Sequence, residues 1–195
     1  MFINYGSQEI NLKIVYYGPG LSGKTTNLEY VFSHIDPKLR SNLVTLNTRE
    51  ERTLYFDFMQ LGFAPIKGKI PKFNLYTVPG QVYYKFSRKI ILRGVDGVVF
   101  VADSQKDRMA DNLDSLLDLE RNLIELGHSL QKVPWVIQYN KRDLPDVVPL
   151  EILESKLNFF GAPYFESVAR DGVQVFPTLK RILTDVIARV QTQEN

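Results

Sequence analysis

Cysteine is absent from the 195 residues of this chain. That excludes disulfides, thiolate metal sites and thiol nucleophiles, and with them prenyl and palmitoyl attachment. Histidine is nearly absent. His34 and His128 are far apart and match no ligand spacing, so both read as surface residues. No apolar run is long enough to span a bilayer, and no signal peptide is visible. Phe2 follows Met1 where myristoylation needs glycine. An excess of one charge is also lacking. The formal net charge is +2, so bulk charge selects no partner. A pI of 8.7 without a recognition motif argues against nucleic acid. No repeat or Pro/Ser-rich linker divides the chain, whose length suits one domain over residues 1–195. The expectation is a cytoplasmic protein without a lipid anchor, monomeric on its own.

What is present is a glycine loop. Gly18-Pro19-Gly20-Leu21-Ser22-Gly23-Lys24-Thr25 fits G-x-x-x-x-G-K-[ST]. Backbone N–H groups of such a loop hold phosphate oxygens. Lys24 is expected to reach the β- and γ-phosphates, and the Thr25 hydroxyl to ligate Mg²⁺, with Thr26 beside it. The context is the required one. Leu12–Tyr17 is rich in β-branched and aromatic residues, as a buried strand is. Leu28, Val31 and Phe32 have helical spacing just after the loop.

Further along, strands are expected at Leu43–Leu46, Leu54–Met59, Phe73–Val78, Gly97–Ala102, Val133–Tyr139 and Pro163–Val168. Gly62 to Pro71 reads as a turn that pairs the second and third of these as a hairpin. Helices are expected at Val82–Leu92, around Leu113–Ile124, at Val148–Leu157 and over Phe176–Val190. Alternating strands and helices imply an α/β fold, a mostly parallel sheet with helices on both faces. Ligands bind such sheets at the carboxyl ends of the strands, where each motif falls.

Asn140-Lys141-Arg142-Asp143 follows an expected strand and fits N-K-x-D. The Asp143 carboxylate can accept from N1–H and N2–H₂ of guanine, whereas adenine would leave it unpaired. Asn140 can donate to the base or brace the glycine loop, and the Lys141 stem can lie along the base face. Ser167-Val168-Ala169 follows the last strand, and its backbone N–H groups could reach the guanine O6.

These residues, in this order, resemble the Ras-like P-loop small GTPases, and in detail their bacterial MglA branch. The shared stretches are Lys13–Gly20, Arg52–Leu54, Leu75–Gln81, Gly97–Ser104 and Val136–Pro145. The resemblance implies a GTP/GDP switch for cell polarity and motility that hydrolyses GTP slowly on its own. It implies Mg²⁺ as cofactor, a roadblock-type activator of the MglB kind, and polarity or motility effectors. Gln81 would orient the attacking water, Arg52 would act as an arginine finger from the same chain, and Thr53 would close over Mg²⁺ and γ-phosphate. Gly80 would contact the γ-phosphate through its N–H.

One position departs from the general family. The D-x-x-G-Q motif appears as Thr77-Val78-Pro79-Gly80-Gln81, a replacement the MglA branch shares. A hydroxyl at Thr77 can bind a metal-bound water but carries no charge; Asp57 is one candidate for the missing carboxylate. Two other readings stay open. One is a GTP-dependent binding module with negligible hydrolysis, since the aspartate is missing. The other is a P-loop kinase, which gives N-K-x-D no role.

Charge is also unevenly distributed. Lys67, Lys69, Lys72, Lys85, Arg88, Lys89 and Arg93 occupy a stretch without an acidic residue. Asp103, Asp107, Asp111, Asp114, Asp118 and Glu120 dominate the next. Either these are two solvated faces, or the basic stretch is a partner surface.

Overall fold

The computed structural model describes residues 2–4, 8–46, 56–65, 68–80 and 85–193. Among these, eight strands form one sheet. They are β1 (Phe2–Asn4), β2 (Glu9–Tyr17), β3 (Val44–Leu46), β4 (Phe56–Gly62), β5 (Ile70–Thr77), β6 (Gly97–Asp103), β7 (Trp135–Asn140) and β8 (Tyr164–Glu166). The order is β3-β4-β5-β2-β6-β7-β8, with β1 antiparallel to β2. From β5 to β8 all pairings are parallel. The β4–β5 pair is the expected antiparallel hairpin, with Phe58 opposite Tyr76.

Helices α1 (Lys24–His34) and α5 (Val175–Gln193) cover one face; α2 (Lys85–Leu92), α3 (Met109–Glu125) and α4 (Leu150–Leu157) cover the other. The period-2 alternation of the strands sorts side chains between two cores. Ile14, Tyr16, Val99 and Val101 pack against Leu28 and Val31 of α1 and Ile182 and Val186 of α5. Val15, Tyr17, Val98 and Phe100 pack against Leu116, Leu119 and Leu123 of α3. The strand β6 is buried at every residue, as its unbroken apolar run predicts. No helix among the described residues is long and apolar enough to cross a membrane.

The hairpin departs from its sequence reading. Gly62 ends β4 and Pro71 lies inside β5, so the turn is shorter than the Gly/Pro spacing predicts. Pro71 comes one residue before Lys72, the partner of Gly62, so its missing N–H leaves the described β4–β5 pairing intact. Helix α4 also starts later than expected, at Leu150 after Pro149.

The basic and acidic stretches are only partly solvated faces: Arg93, Asp107 and Asp114 are exposed, but three of the charges are not. Arg88, Asp103 and Asp118 are buried, and Lys89 pairs with Glu125. Lys67 lies outside the described residues. His34 is exposed and stacks on Tyr30, with ring centroids 4.0 Å apart.

Candidate nucleotide-binding site

Parallel strands β2, β6 and β7 end beside one another, and the loops after them meet. The glycine loop leaves β2 and turns into α1, whose N-cap is Gly23 at φ 102°. A Cβ at Gly23 would lie 2.2 Å from Asn140 Nδ2, so only glycine allows this approach. Asn140 uses the space: its Nδ2 donates to Ser22 O at 2.7 Å. Its Oδ1 accepts from Ala169 N at 2.8 Å and from the Ser167 hydroxyl at 3.2 Å. Of the two roles open to Asn140, the structure shows the brace, joining three loops through one amide.

A cavity of about 550 Å³ opens at these strand ends. Gly20, Leu21, Gly23, Lys24, Thr25 and Thr26 line one side; Thr45, Asp57, Thr77 and Gly80 are among those lining the other. That volume is ordinary for a small-molecule site. The N–H groups opening α1 and its positive dipole end favour an anion there. Lys24 is buried, with Nζ donating to Gly18 O at 3.0 Å and Pro19 O at 2.6 Å. Burial lowers its pKa to about 7, helped by the Arg88 guanidinium, while Asp57 opposes. An anion received here would stabilise the charged amine.

Asp57 carries most of the electrostatics of the far wall. Its register follows from the hairpin: Thr45 of β3 is its partner, and Thr77 lies opposite it on β5. Thr25 Oγ1 donates to Asp57 Oδ2 at 2.6 Å and Thr77 Oγ1 donates to the same oxygen at 2.8 Å. Thr45 Oγ1 donates to Oδ1 at 2.9 Å, and the Asp57 N–H donates back to Thr77 Oγ1 at 2.8 Å. The carboxylate absent at position 77 thus stands one strand away, touching the same hydroxyls. Among the described residues no three His, Cys, Asp or Glu gather. Hydroxyls around one carboxylate form a hard-oxygen donor set that fits Mg²⁺ if substrate oxygens and water complete it.

Gly80 closes the cavity. A Cβ on Gly80 would lie 2.3 Å from Gly20 Cα, so the segment after β5 rests directly on the glycine loop. Arg108 adds a second brace that the sequence did not suggest, donating to Gly20 O at 2.8 Å.

The N-K-x-D loop is built as a turn. Lys141 has φ 66°, a left-handed conformation that non-glycine residues rarely adopt. Its Nζ donates to the buried Asp103 at 2.6 Å and to Gln105 at 3.2 Å. Arg142 fixes the turn to Glu166 and to Val148 O. Asp143 pairs with Arg170 at 3.1 Å across the loop after β8. One expectation differs here. The Val168 N–H donates to Val173 O at 3.3 Å and the Ala169 N–H to Asn140, so both are engaged within the protein.

Gly20, Leu21, Gly23 to Thr26 and Gly80 thus line one cavity, and Asn140 ties the glycine loop at Ser22 to Ala169; Lys141, Asp143 and Val168 stand on the adjoining loops and do not line it. The expected roles of Arg52, Thr53 and Gln81 fall outside the described residues.

Residues 1–180 match the ADP-ribosylation factor family. The chain is 53% identical over 190 residues to the mutual gliding-motility protein MglA of Myxococcus xanthus, covering 97% of each. It is 25% identical over 142 residues to the GTP-binding protein yptV2 of Volvox carteri, covering 71% of this chain and 63% of that one. Sequence kinship over this span and a cavity walled by a glycine loop and a Gly80 turn agree. The chain belongs to the ADP-ribosylation factor family of Ras-like small GTPases, within its MglA branch, and it binds and hydrolyses GTP.

Proposed function

We propose that this chain is a cytoplasmic GTP/GDP switch that controls bacterial motility and cell polarity through effectors that recognise its GTP form. The observation that carries the reading is the seating of Gly80 on Gly20. A γ-phosphate bound beside Gly20 meets the segment from Val78 to Gly80 directly, and its presence or loss biases that segment. The likeness to a gliding-motility protein at 53% identity supports the cellular role.

In this reading Asn140, Lys141 and Asp143 read guanine, with Val168 and Ala169 beside its edge and Ala169 tied to Asn140. Gly18, Gly20, Leu21, Ser22, Gly23, Lys24, Thr25 and Thr26 hold the phosphates. Thr25 and Thr53 hold Mg²⁺, and Asp57 supplies the charge that Thr77 lacks. When bound, the ion neutralises phosphate charge. The chain's own residues do the rest. Gln81 orients the water, Arg52 stabilises charge spreading over the γ-phosphoryl oxygens, and Gly80 donates its N–H there. An arginine finger contributes roughly 10³ to 10⁵ in rate. Because that arginine is internal, a roadblock-type activator of the MglB kind acts by favouring the closed arrangement of Arg52 and Gln81.

The test is nucleotide identification in the purified protein, competition of GTP against ATP, and single-turnover hydrolysis with and without activator. Guanine preference and activator-stimulated turnover are expected. Arg52→Ala and Gln81→Ala are each expected to abolish the stimulation while GTP affinity survives. Stimulated turnover persisting in Arg52→Ala refutes the internal finger.

A further inference from the structure

Arg88 sits on α2 behind the Gly80 turn and is only 5% exposed. Its guanidinium makes a fork. Nε donates to Pro79 O at 2.9 Å and Nη2 to Gly80 O at 3.0 Å. Nη1 donates to Asp118 Oδ2 of α3 at 2.8 Å. That same oxygen accepts from Tyr17 Oη at the end of β2, at 2.6 Å, and from Asn122 Nδ2 at 3.2 Å. The Tyr17 ring lies 5.9 Å from the guanidinium carbon. Tyr17 immediately precedes Gly18, so the network runs from the root of the glycine loop through α3 to the turn after β5.

Peptide planarity gives this fork a consequence. No cis peptide occurs among the described residues, and in a trans peptide C=O and N–H point in opposite directions. By holding Pro79 O, Arg88 Nε turns the N–H of Gly80 away from itself. Gly80 O, held by a second donor, belongs to the next peptide, so the fork fixes the planes on both sides of the Gly80 Cα. A buried ion pair of this kind is costly to assemble and adds little stability over apolar packing. The planar fork matches two carbonyls and a carboxylate at once, which a lysine cannot do.

We propose that Arg88 is a positioning residue for GTP recognition: anchored by Asp118, it aims the Gly80 N–H and so raises the GTP:GDP affinity ratio. This rests on the reading that Gly80 senses the γ-phosphate. The P-loop contacts, and the repulsion between Arg88 and Lys24, are common to both nucleotides, so they move GTP and GDP affinity together. The aim of the Gly80 N–H acts on GTP alone and is read in the ratio of the two.

The experiment compares GTP-analogue and GDP affinities, single-turnover rate and thermal midpoint in wild type, Arg88→Lys, and the double variant Arg88→Met with Asp118→Asn. The double variant removes both buried charges together while the amide oxygen at 118 still accepts from Tyr17 Oη, so it keeps the fold where Arg88→Ala would strand Asp118. Expected are a midpoint near wild type, GDP affinity within about twofold, and a GTP:GDP affinity ratio reduced about tenfold or more. The turnover rate of bound GTP falls with it. Arg88→Lys recovers only part of the ratio. A double variant that folds and keeps the wild-type ratio overturns the proposal. So does a ratio lost only in step with GDP affinity or thermal midpoint, since that marks a structural role. If Gly80→Ala leaves the GTP:GDP ratio unchanged, the underlying reading of Gly80 fails instead.

Discussion

Thr25 and Thr77 donate to one oxygen of Asp57, at 2.6 and 2.8 Å, although the three residues come from α1, β5 and β4. The carboxylate that the D-x-x-G-Q motif places where this chain has Thr77 is in effect supplied from the neighbouring strand. Its charge still faces the hydroxyl that opens α1. The hairpin register makes this possible, because Asp57 and Thr77 lie opposite one another and Asp57 is on the buried phase of β4.

Moving that charge is therefore testable. Asp57→Asn is expected to lower the Mg²⁺-dependent part of GTP affinity about a hundredfold, with GDP affinity in chelator changed little. Placing the carboxylate back on β5, as Asp57→Ala with Thr77→Asp, is expected to recover at least tenfold over Asp57→Ala alone. Fluorescent-nucleotide titration across Mg²⁺ concentrations reads both. No recovery in the double variant sinks the exchange of roles.

The sequence carried part of this. The glycine loop, its strand and its helix were all legible, because each uses local chemistry: β-branched residues, glycine dihedrals, helical spacing. N-K-x-D was legible as a motif, but Asn140's simultaneous grip on Ser22 and Ala169 was not, since it spans residues distant in sequence. Asp57 had a signal. It is in phase with Met59 and Leu61, which a strand buries, so a carboxylate there needs partners. Arg88 had none. It sits in a basic run that reads as surface, and only the packing of α2 against α3 turns it inward.

Asp143→Asn is expected to weaken guanine nucleotides by about 100-fold and to shift preference toward xanthine nucleotides. The replacement swaps a double acceptor for a group that donates. Arg170→Ala is the contrast. Its side chain is 67% exposed, so the pair with Asp143 contributes no more than about 1 kcal/mol and affinity stays within about fivefold. Competition binding of GTP against XTP separates the two outcomes, and an unchanged base preference in Asp143→Asn removes its assigned role.

The buried amides of Asn27 and Gln138 donate to each other at 2.7 and 3.0 Å, tying α1 to β7. Thr178 of α5 lies 3.2 Å from the same Gln138 amide. Gln138→Leu leaves Asn27 without that partner in the core and is expected to cost about 2–3 kcal/mol. Asn27→Leu with Gln138→Leu removes both amides and is expected to cost less than the two single changes summed. Urea denaturation of the four proteins gives the coupling energy; strict additivity contradicts a shared bond.

Gly80→Ala isolates the switch from the pocket. The added methyl would stand 2.3 Å from Gly20 Cα and 2.4 Å from Gly20 N, both backbone atoms of a loop that cannot yield without losing its phosphate cradle. The segment from Val78 to Gly80 must retreat instead, and with it the N–H proposed to meet the γ-phosphate. GDP, bound without that contact, is expected to keep its affinity within about threefold. A non-hydrolysable GTP analogue is expected to lose about tenfold or more, and single-turnover hydrolysis about a hundredfold, since Gln81, the residue proposed to orient the water, follows directly in sequence. Equal loss of both nucleotides would show that Gly80 merely shapes the glycine loop. Unchanged turnover would show that the close contact with Gly20 has no part in the chemistry.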